Sequence, residues 1–276
     1  MAAMGSTERH GDEREVIRSA SNAGIKRVRA AVAGKLPELL LLEGDRLVDE
    51  ALAAGLEFEL LLVSEERAQR LAELAGATPV EAGLLGRVGT LKSGPGILGL
   101  ARAPREVPVE ELPGVLGADV DEQPLVLVVC GIADPVNLGA LARSAEAAGA
   151  VALVWVTGGV SPNNPRALRG SMGSLLRLPV FSAGSASEAA AALAAAGLVQ
   201  VRADTRGGAD HRSFDWRRPL ALWVGPESGD AAALDHAAVA FEGVTIPMAG
   251  GVESLNVTVA ASLLLFAADR VPGAGA

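Results

Sequence analysis

Four segments of the sequence place polar side chains and glycines where a protein could bind a ligand and act on it. The first, residues 134–143, follows an apolar run and ends on Arg143. A cation on a helix that rises from the carboxyl end of a parallel strand points toward the crevice where such sheets bind ligands. Asn137 has the side chain of a helix N-cap, so we predict a helix over 137–148.

The second and third segments combine charge with small residues. Residues 165–174 interleave arginines, including Arg169, with residues small enough for a phosphate or a backbone to approach closely. Residues 222–229 form a glycine-rich turn at the end of a predicted strand, and this turn carries Glu227. Taken separately, each also fits an ordinary surface helix or strand-to-helix turn.

The fourth segment, residues 246–260, leads from a loop into an apolar helix that begins with Ser254 and Asn256. Polar side chains at the start of so apolar a helix cap it at minimum. None of the four segments contains histidine, the residue most often used as a general base. Arg143 therefore remains the candidate to assist a proton transfer, although a guanidinium is normally protonated.

The elements that must position these residues alternate between apolar strands and helices, which predicts an α/β protein with a mostly parallel sheet and helices on both faces. We predict a disordered tail over 1–13 and a small α/β domain over 14–103. A linker over 104–123 holds three prolines and six acidic residues. A second α/β domain covers 124–270.

A glycine pattern at residues 94–99 matches the dinucleotide-binding signature GxGxxG. That signature needs a strand before it and a helix after it, so that the pyrophosphate meets a helix N-terminus. Here the glycines precede the strand predicted to end the first domain. The position argues against the alternative of a nucleotide-dependent oxidoreductase.

The composition excludes other classes. The single cysteine, Cys130, excludes an internal disulfide and a cysteine-based structural zinc site, and the three histidines lack metal-ligand spacing, so we predict no metal. No apolar run is long enough for a membrane span, and the polar N-terminus lacks the apolar core of a secretion signal. We predict a cytoplasmic protein without a membrane partner.

The charge is acidic overall but uneven. The chain carries 33 acidic and 24 basic residues, a formal net charge of −9, which by itself argues against nucleic-acid binding. Between residues 16 and 37, however, the charged residues are all basic: Arg18, Lys26, Arg27, Arg29 and Lys35. This basic cluster is either a local patch for phosphates or a solvated helix face.

Taken in order, the four segments resemble the SPOUT superfamily of RNA methyltransferases, in its SpoU/TrmH branch of ribose 2′-O-methyltransferases. The resemblance covers about residues 124–270 and rests on DPVNLGALARSAEAAG, VGPE, and IPM followed by ESLNVTVAAS. The front domain is similar, more loosely, to a small ribosomal-protein-like substrate-binding domain. It shares Ser21-Asn22, Ile25-Lys26 and residues 41–44 with that domain.

The resemblance implies an α/β-knot, a parallel sheet tied in a trefoil knot, that binds S-adenosylmethionine and forms a homodimer. It implies that the backbone near Gly225, Ile246, Met248 and Leu255 contacts the cofactor. It also implies that Arg143 helps to activate a ribose hydroxyl, and that the other polar active-site residues are Asn137, Glu227, Ser254 and Asn256. For RNA binding it points to the basic cluster, Asn22 and Arg169.

Two departures from the family pattern stand in this sequence. Asp230 lies where the family usually has Gly-x-Gly-Leu after the glutamate, and Gly170 replaces a frequent alanine. Neither change removes a candidate catalytic side chain. We therefore predict an RNA ribose 2′-O-methyltransferase that acts on structured RNA, with 23S ribosomal RNA first and transfer RNA as the alternative. A non-catalytic RNA-binding or ribosome-assembly factor is the rival from another class.

Overall fold

The computed structural model divides into two compact units, one of Met1–Val48 and Glu57–Arg102 and the other of Asp49–Leu56 and Ala103–Ala276. The residues that the structure describes are 15–91, 94–116, 123–205, 207–225 and 240–268. The tail predicted over 1–13 lies outside them.

The first unit contains a four-stranded mixed sheet of β1 (Leu39–Glu43), β2 (Phe58–Ser64), β3 (Thr78–Val80) and β4 (Ile97–Arg102). The spatial order is β1-β4-β2-β3, with β4 antiparallel to both of its neighbours and β3 parallel to β2. The helices in this part of the chain are α1 (Ala23–Val32), α2 (Asp45–Ala53), α3 (Ala68–Glu73) and α4 (Leu84–Val88). Ile25 and Val28 of α1 are fully buried in the core beside Leu41 and Leu62, which leaves the opposite face of α1 to solvent.

The glycine pattern at 94–99 leads into β4, as the sequence predicts, and not into a helix. Within β4, a Cβ atom added to Gly99 would lie 2.4 Å from Cε1 of Phe58. The glycine therefore makes room for an aromatic ring of the neighbouring strand.

The second unit is built on an eight-stranded, wholly parallel sheet in the order β10-β12-β9-β11-β6-β7-β8-β5. Its strands are β5 (Val107–Pro108), β6 (Leu125–Cys130), β7 (Ala152–Val156), β8 (Val180–Ala183), β9 (Val199–Ala203), β10 (Ala209–Asp210), β11 (Leu220–Val224) and β12 (Glu242–Thr245). Every residue of β6 and β11 is buried, which explains their almost continuous apolar sequence.

Helices cover both faces of this sheet. They are α5 (Leu112–Leu116), α6 (Pro135–Ala147), α7 (Pro165–Ser171), α8 (Ser174–Arg177), α9 (Ala186–Ala195) and α10 (Val257–Ala267). On one face, Ala189 and Leu193 of α9 pack with Val126 and Val128 of β6. The helix α10 packs on α6 as well as on β9 and β11. Because alternate residues of a strand point to opposite faces of the sheet, each strand offers side chains to helices on both faces.

The segment predicted as a linker differs from that expectation. Within residues 104–123, β5 pairs with β8, and a 3-10 turn at Val109–Glu111 leads into α5. Val109 and Leu112 are fully buried in the core of the second unit. The prolines and acidic residues that suggest a linker thus flank two apolar side chains that anchor the segment to the edge of the sheet.

Candidate functional site

The sheet of the second unit changes its winding direction between two neighbouring strands, β6 and β11. From β6 the chain adds β7 and β8 on one side, whereas β9 and β12 lie beyond β11 on the other. In parallel sheets, ligands bind outside the carboxyl ends of the strands at such a switch point. The four polar segments of the sequence all follow strands of this sheet.

The first segment forms α6, but the helix starts earlier than predicted. The N-cap is Asp134, whose Oδ1 accepts a hydrogen bond from the backbone N–H of Val136 at 2.9 Å, and Pro135 occupies the first turn. The prediction of Asn137 as N-cap is therefore wrong. Aspartate is favoured at an N-cap and proline at the first helical position. Because Asp134 caps the helix, the Asn137 side chain makes a different contact.

That contact is with α10. Oδ1 of Asn137 accepts hydrogen bonds from Oγ1 of Thr258 at 3.2 Å and from Nδ2 of Asn256 at 3.5 Å. Asn256 is the N-cap of α10, because its own Oδ1 accepts from the backbone N–H groups of Thr258 at 2.9 Å and Val259 at 3.4 Å. Two segments that are far apart in sequence therefore share one polar cluster of amides and a hydroxyl.

A second polar contact joins the same two helices further along. Ser262 Oγ donates to the backbone carbonyl of Thr258 at 2.7 Å, and the hydroxyls of Ser144 and Ser262 are 2.7 Å apart. Because the proton of Ser262 is used in α10, Ser144 is the donor in the contact between the helices. Hydrogen bonds at both ends therefore fix the register of α6 against α10.

Arg143 lies on α6 with its side chain exposed. Within the described parts of the chain it makes no hydrogen bond or ion pair. Glu146, three residues further along the helix, is bound elsewhere, since Nε and Nη2 of Arg177 donate to its two carboxylate oxygens at 2.7 and 2.8 Å. The Arg177 guanidinium holds the pKa of Glu146 below its usual value. The nearest acidic side chain on α6 therefore does not neutralise Arg143.

The small residues of the second segment permit a close contact between α6 and α7. A Cβ atom on Gly139 of α6 would lie 2.4 Å from the carbonyl oxygen of Ala167. On the α7 side, a Cβ on Gly170 would be 3.6 Å from the Cα of Gly139. What approaches here is a helix backbone, the second of the two possibilities that the sequence left open. Arg169 is half-buried on α7.

A cleft lies beyond the carboxyl ends of β9 and β12. It is lined by residues of the fourth segment, Ile246, Met248, Ser254 and Leu255, together with the buried Leu264 of α10. Three of the four residues predicted to contact a cofactor thus meet in one cleft. The fourth, Gly225, is half-buried directly after β11, whereas Glu227 and Asp230 lie outside the described residues.

Sequence reasoning missed two polar residues of this cleft, Asp204 and Thr205. They directly follow β9, so their position after a strand of a parallel sheet was the available signal. No recognisable motif surrounds them.

The basic cluster of the first unit is partly paired with acidic side chains. Arg27 is bound to Glu59, and Arg18 lies 3.4 Å from Glu65. The remaining three, Lys26, Arg29 and Lys35, are exposed on or just after α1, and in the described residues they form no ion pair. Asn22 is the N-cap of α1, where its Oδ1 accepts from the backbone N–H of Gly24 at 2.8 Å.

Metal ligands, apolar helices and the single thiol are the remaining features of the described residues. No group of three or more histidine, cysteine or acidic residues there is arranged to hold a metal ion. Among those same residues, no helix is long and apolar enough to cross a membrane. Cys130 is buried at the end of β6, and burial raises the pKa of its thiol, which makes it a poor nucleophile.

Comparison with known proteins gives a consistent result. Residues 124–266 match the model of the SpoU rRNA Methylase family. The chain is 33% identical over 182 residues to a 23S rRNA (guanosine-2′-O-)-methyltransferase, RlmB, of Pectobacterium atrosepticum; the match covers 64% of this chain and 72% of the relative.

Two solved structures extend the likeness to nearly the full length. One is an RNA 2′-O ribose methyltransferase, 33% identical, with a TM-score of 0.73 and coverage of 93% of this chain and 98% of the other. The second is the SpoU methyltransferase AviRb from Streptomyces viridochromogenes in complex with AdoMet. It is 28% identical, with a TM-score of 0.75 and coverage of 90% and 97%. These neighbours confirm the predicted fold class, an α/β-knot domain preceded by a small α/β domain.

Proposed function

The chain belongs to the SpoU rRNA methylase family, and we propose that it transfers a methyl group from S-adenosylmethionine to a ribose 2′-hydroxyl of 23S ribosomal RNA. The observation that carries this proposal is the meeting of Asn137, Asn256 and Thr258 between α6 and α10. Asn137 of this cluster lies on the same helix as the exposed Arg143. The cluster also lies at the start of α10, the helix that lines the cleft beyond the carboxyl ends of β9 and β12.

The chemistry of this cleft fits S-adenosylmethionine. Ile246, Met248 and Leu255 offer an apolar wall for an adenine ring, and Asp204 and Ser254 offer acceptors for hydroxyl and amino groups. AviRb, a SpoU methyltransferase of similar fold, is described as binding AdoMet. We assign Ile246, Met248, Leu255 and Gly225 to cofactor binding.

S-adenosylmethionine supplies a methyl group on a sulfonium, which is already electrophilic. The methyl group leaves the sulfur, which keeps the electron pair of the broken bond as S-adenosylhomocysteine. What remains for the protein is to orient the ribose hydroxyl and to promote transfer of its proton to an adjoining RNA phosphate. Arg143 is suited to the second task, because a permanently charged guanidinium stabilises the negative charge that develops on the 2′-oxygen. The unpaired state of Arg143 in the described residues supports this role.

The amide cluster is suited to orientation. Asn256 keeps donor capacity beyond the contacts described, and both asparagines lie at the capped end of α10. Asn137, Asn256 and Ser254 would position the ribose and the adjoining phosphate, and Glu227 completes the proposed set.

RNA binding is assigned to the basic cluster, Asn22 and Arg169. Lys26, Arg29 and Lys35 are exposed without an acidic partner among the described residues, so they contact phosphates without first breaking an ion pair. Arg18 and Arg27 must exchange Glu65 and Glu59 for a phosphate. Because its ribosomal RNA substrate is made there, we place the protein in the cytoplasm.

A homodimer is proposed through α10. Val259, Leu263 and Phe266 remain 49%, 45% and 53% exposed, and their spacing of four and three residues puts them on one face of the helix. An exposed apolar stripe of this kind favours burial against a second copy.

The proposal is tested by incubating the protein with labelled S-adenosylmethionine and either 23S rRNA or total tRNA, then mapping 2′-O-methylated nucleotides. We expect methylation at a defined position of 23S rRNA, and loss of that mark in cells without the gene. Transfer of label to tRNA alone would point to the alternative substrate. Binding of RNA without any transfer would point to a non-catalytic factor.

A further inference from the structure

The cofactor cleft contains one ionisable side chain among the described residues that line it. This residue is Asp204, directly after the carboxyl end of β9. The other lining residues are apolar or carry a hydroxyl. A carboxylate in such a cleft needs hydrogen-bond donors, because leaving its oxygens unsatisfied is costly.

The position of Asp204 is fixed from three directions. Its backbone N–H donates to the carbonyl of Val244 in β12 at 2.8 Å. Nε of Arg202 lies 2.8 Å from Oδ1 of Asp204. A Cβ atom on Gly243 would lie 2.7 Å from Oδ2, so the absence of a side chain at Gly243 leaves room for the carboxylate. Asp204 is thus held in place, with its side chain 22% exposed.

The charge of Asp204 is already balanced by Arg202. An ionised carboxylate offers about four lone-pair positions, and Nε of Arg202 lies beside Oδ1 as the counter-charge. A further cation would meet a pair that is nearly neutral, which weakens its attraction. The attraction of a neutral hydroxyl donor to the carboxylate is weakened less, since a hydrogen bond to a carboxylate oxygen does not depend on net charge alone.

We propose that the carboxylate of Asp204 accepts hydrogen bonds from the ribose hydroxyls of the cofactor's adenosine. The proposal rests on the proposed function, since it presupposes that this cleft binds S-adenosylmethionine. A carboxylate after a parallel strand binds a ribose hydroxyl in dinucleotide-binding folds, and the same chemistry is available here in a different topology. Asp204 selects the nucleoside, and Arg202 acts as a positioning residue.

The test is calorimetry with S-adenosylhomocysteine and its 2′-deoxy and 3′-deoxy adenosine analogues. For the unaltered protein, removing a hydroxyl that binds Asp204 should weaken affinity about 10- to 100-fold, as expected for a hydrogen bond to a charged group. Asp204→Asn should weaken S-adenosylhomocysteine binding by a similar factor and should no longer distinguish it from the deoxy analogues. S-adenosylmethionine should lose affinity by the same factor, because it carries the same ribose.

The control variant is Asp210→Asn. Asp210 also forms an ion pair with an arginine two residues away, Arg212, but it does not line the cleft. The variant Asp210→Asn should leave the affinities and the discrimination between analogues unchanged. This control separates the removal of a carboxylate that lines the cleft from the disruption of any Asp–Arg pair in this part of the sheet.

Three results would overturn the inference. One is equal binding of both deoxy analogues and S-adenosylhomocysteine by the unaltered protein, a measurement that needs no variant to fold. Another is Asp204→Asn with unchanged affinities. The third is a loss of affinity in Asp204→Asn for S-adenosylmethionine but not for S-adenosylhomocysteine, which would place the carboxylate beside the sulfonium. If the unaltered protein binds none of these ligands, the proposed function itself fails.

Discussion

Oδ1 of Asn137 in α6 accepts a hydrogen bond from Oγ1 of Thr258 in α10, 3.2 Å away, across 121 residues of sequence. This contact connects the first and last of the four polar segments. Because Asn256 caps α10 through the backbone N–H of the same Thr258, the two asparagines are held beside each other at one helix end. A change at either helix should therefore be felt at the other.

The first prediction concerns this coupling. Thr258→Val removes the hydroxyl while keeping the shape, and Asn137→Ala removes its acceptor. We expect each to lower the free energy of unfolding by about 1 kcal/mol, the usual net value of one hydrogen bond. The double variant should lose less than the sum, because both single changes remove the same bond. Denaturant unfolding of the four proteins measures this.

Strict additivity in that cycle would show that the two side chains do not interact. The pair Ser144→Ala and Ser262→Ala is a useful comparison, since these residues join the same two helices at 2.7 Å. It should show coupling of the same sign.

The second prediction concerns pH. The pKa of Glu146 is lowered from its ordinary value of 4.5 by hydrogen bonds from Arg177. A carboxyl group with a lowered folded-state pKa stabilises the protein above its unfolded pKa, and this stabilisation is lost as pH falls through the folded value. Glu146→Gln should cost up to about 1 kcal/mol at pH 7. The cost should shrink steadily below about pH 4.5.

Thermal unfolding between pH 7 and pH 3 measures this effect, with the exposed Glu66→Gln as the control. A difference between Glu146→Gln and the unaltered protein that stays constant with pH would contradict the assignment. In that case the variant would act through packing and not through the ion pair.

Several features of the fold follow directly from the sequence. The continuous apolar residues of β6 predict a strand buried on both faces, and Asn256 before an apolar run predicts the cap of α10; the structure has both. The predicted N-cap of α6, Asn137, lies three residues after the observed one, Asp134. Asp134 and Asn137 are both cap-forming types, and only the proline after Asp134 distinguishes them.

Other features are not local properties and could not be predicted this way. The burial of Val109 and Leu112 arises in elements too short to show a period. Strand order is set by packing between distant segments, so nothing in the sequence near β12 indicates that it lies beyond β9. Asp204 enters the cleft for that reason. Its position after β9 is the one signal in the sequence, and that signal does not say which residues Asp204 faces.

The third prediction concerns RNA. Changing Lys26, Arg29 and Lys35 together to glutamine should weaken RNA binding and reduce the slope of log affinity against log salt. The reduction should be about 0.7–0.9 for each phosphate that is no longer neutralised. Changing Arg18 and Arg27 to glutamine should reduce the slope less, because these guanidinium groups are already bound to Glu65 and Glu59.

Filter binding at several salt concentrations distinguishes the two sets, and cofactor affinity serves as the control for folding. An unchanged slope in the triple variant would assign these residues to a solvated helix face. The charge of the first unit would then play no direct part in phosphate binding.

The fourth prediction concerns the oligomeric state. The exposed stripe of α10 should be buried in a dimer, so light scattering should give about twice the chain mass of 27.9 kDa. Leu263→Glu with Phe266→Glu should give the monomer, because two charges cannot be buried against a partner without a counter-charge. Val32→Gln, at an apolar residue of α1 that is 40% exposed, is the control and should stay dimeric. A monomer from the unaltered protein at micromolar concentration would exclude this use of α10.

The last prediction concerns Arg143. Arg143→Ala should lower methyl transfer by about 10²–10⁴-fold, the range for one group that assists proton transfer. This corresponds to roughly 3–5 kcal/mol of activation free energy. The affinity for S-adenosylmethionine should stay within a few-fold, since Arg143 does not line the cofactor cleft.

Arg143→Lys should recover part of the rate if charge alone stabilises the 2′-oxygen, and added guanidinium should partly rescue the alanine variant. Single-turnover rates on the cognate RNA measure each effect, with the exposed Arg166→Ala as a matched control on α7. A near-normal single-turnover rate for Arg143→Ala would remove this residue from the chemistry and leave the amide cluster of Asn137 and Asn256 as the group closest to the reaction.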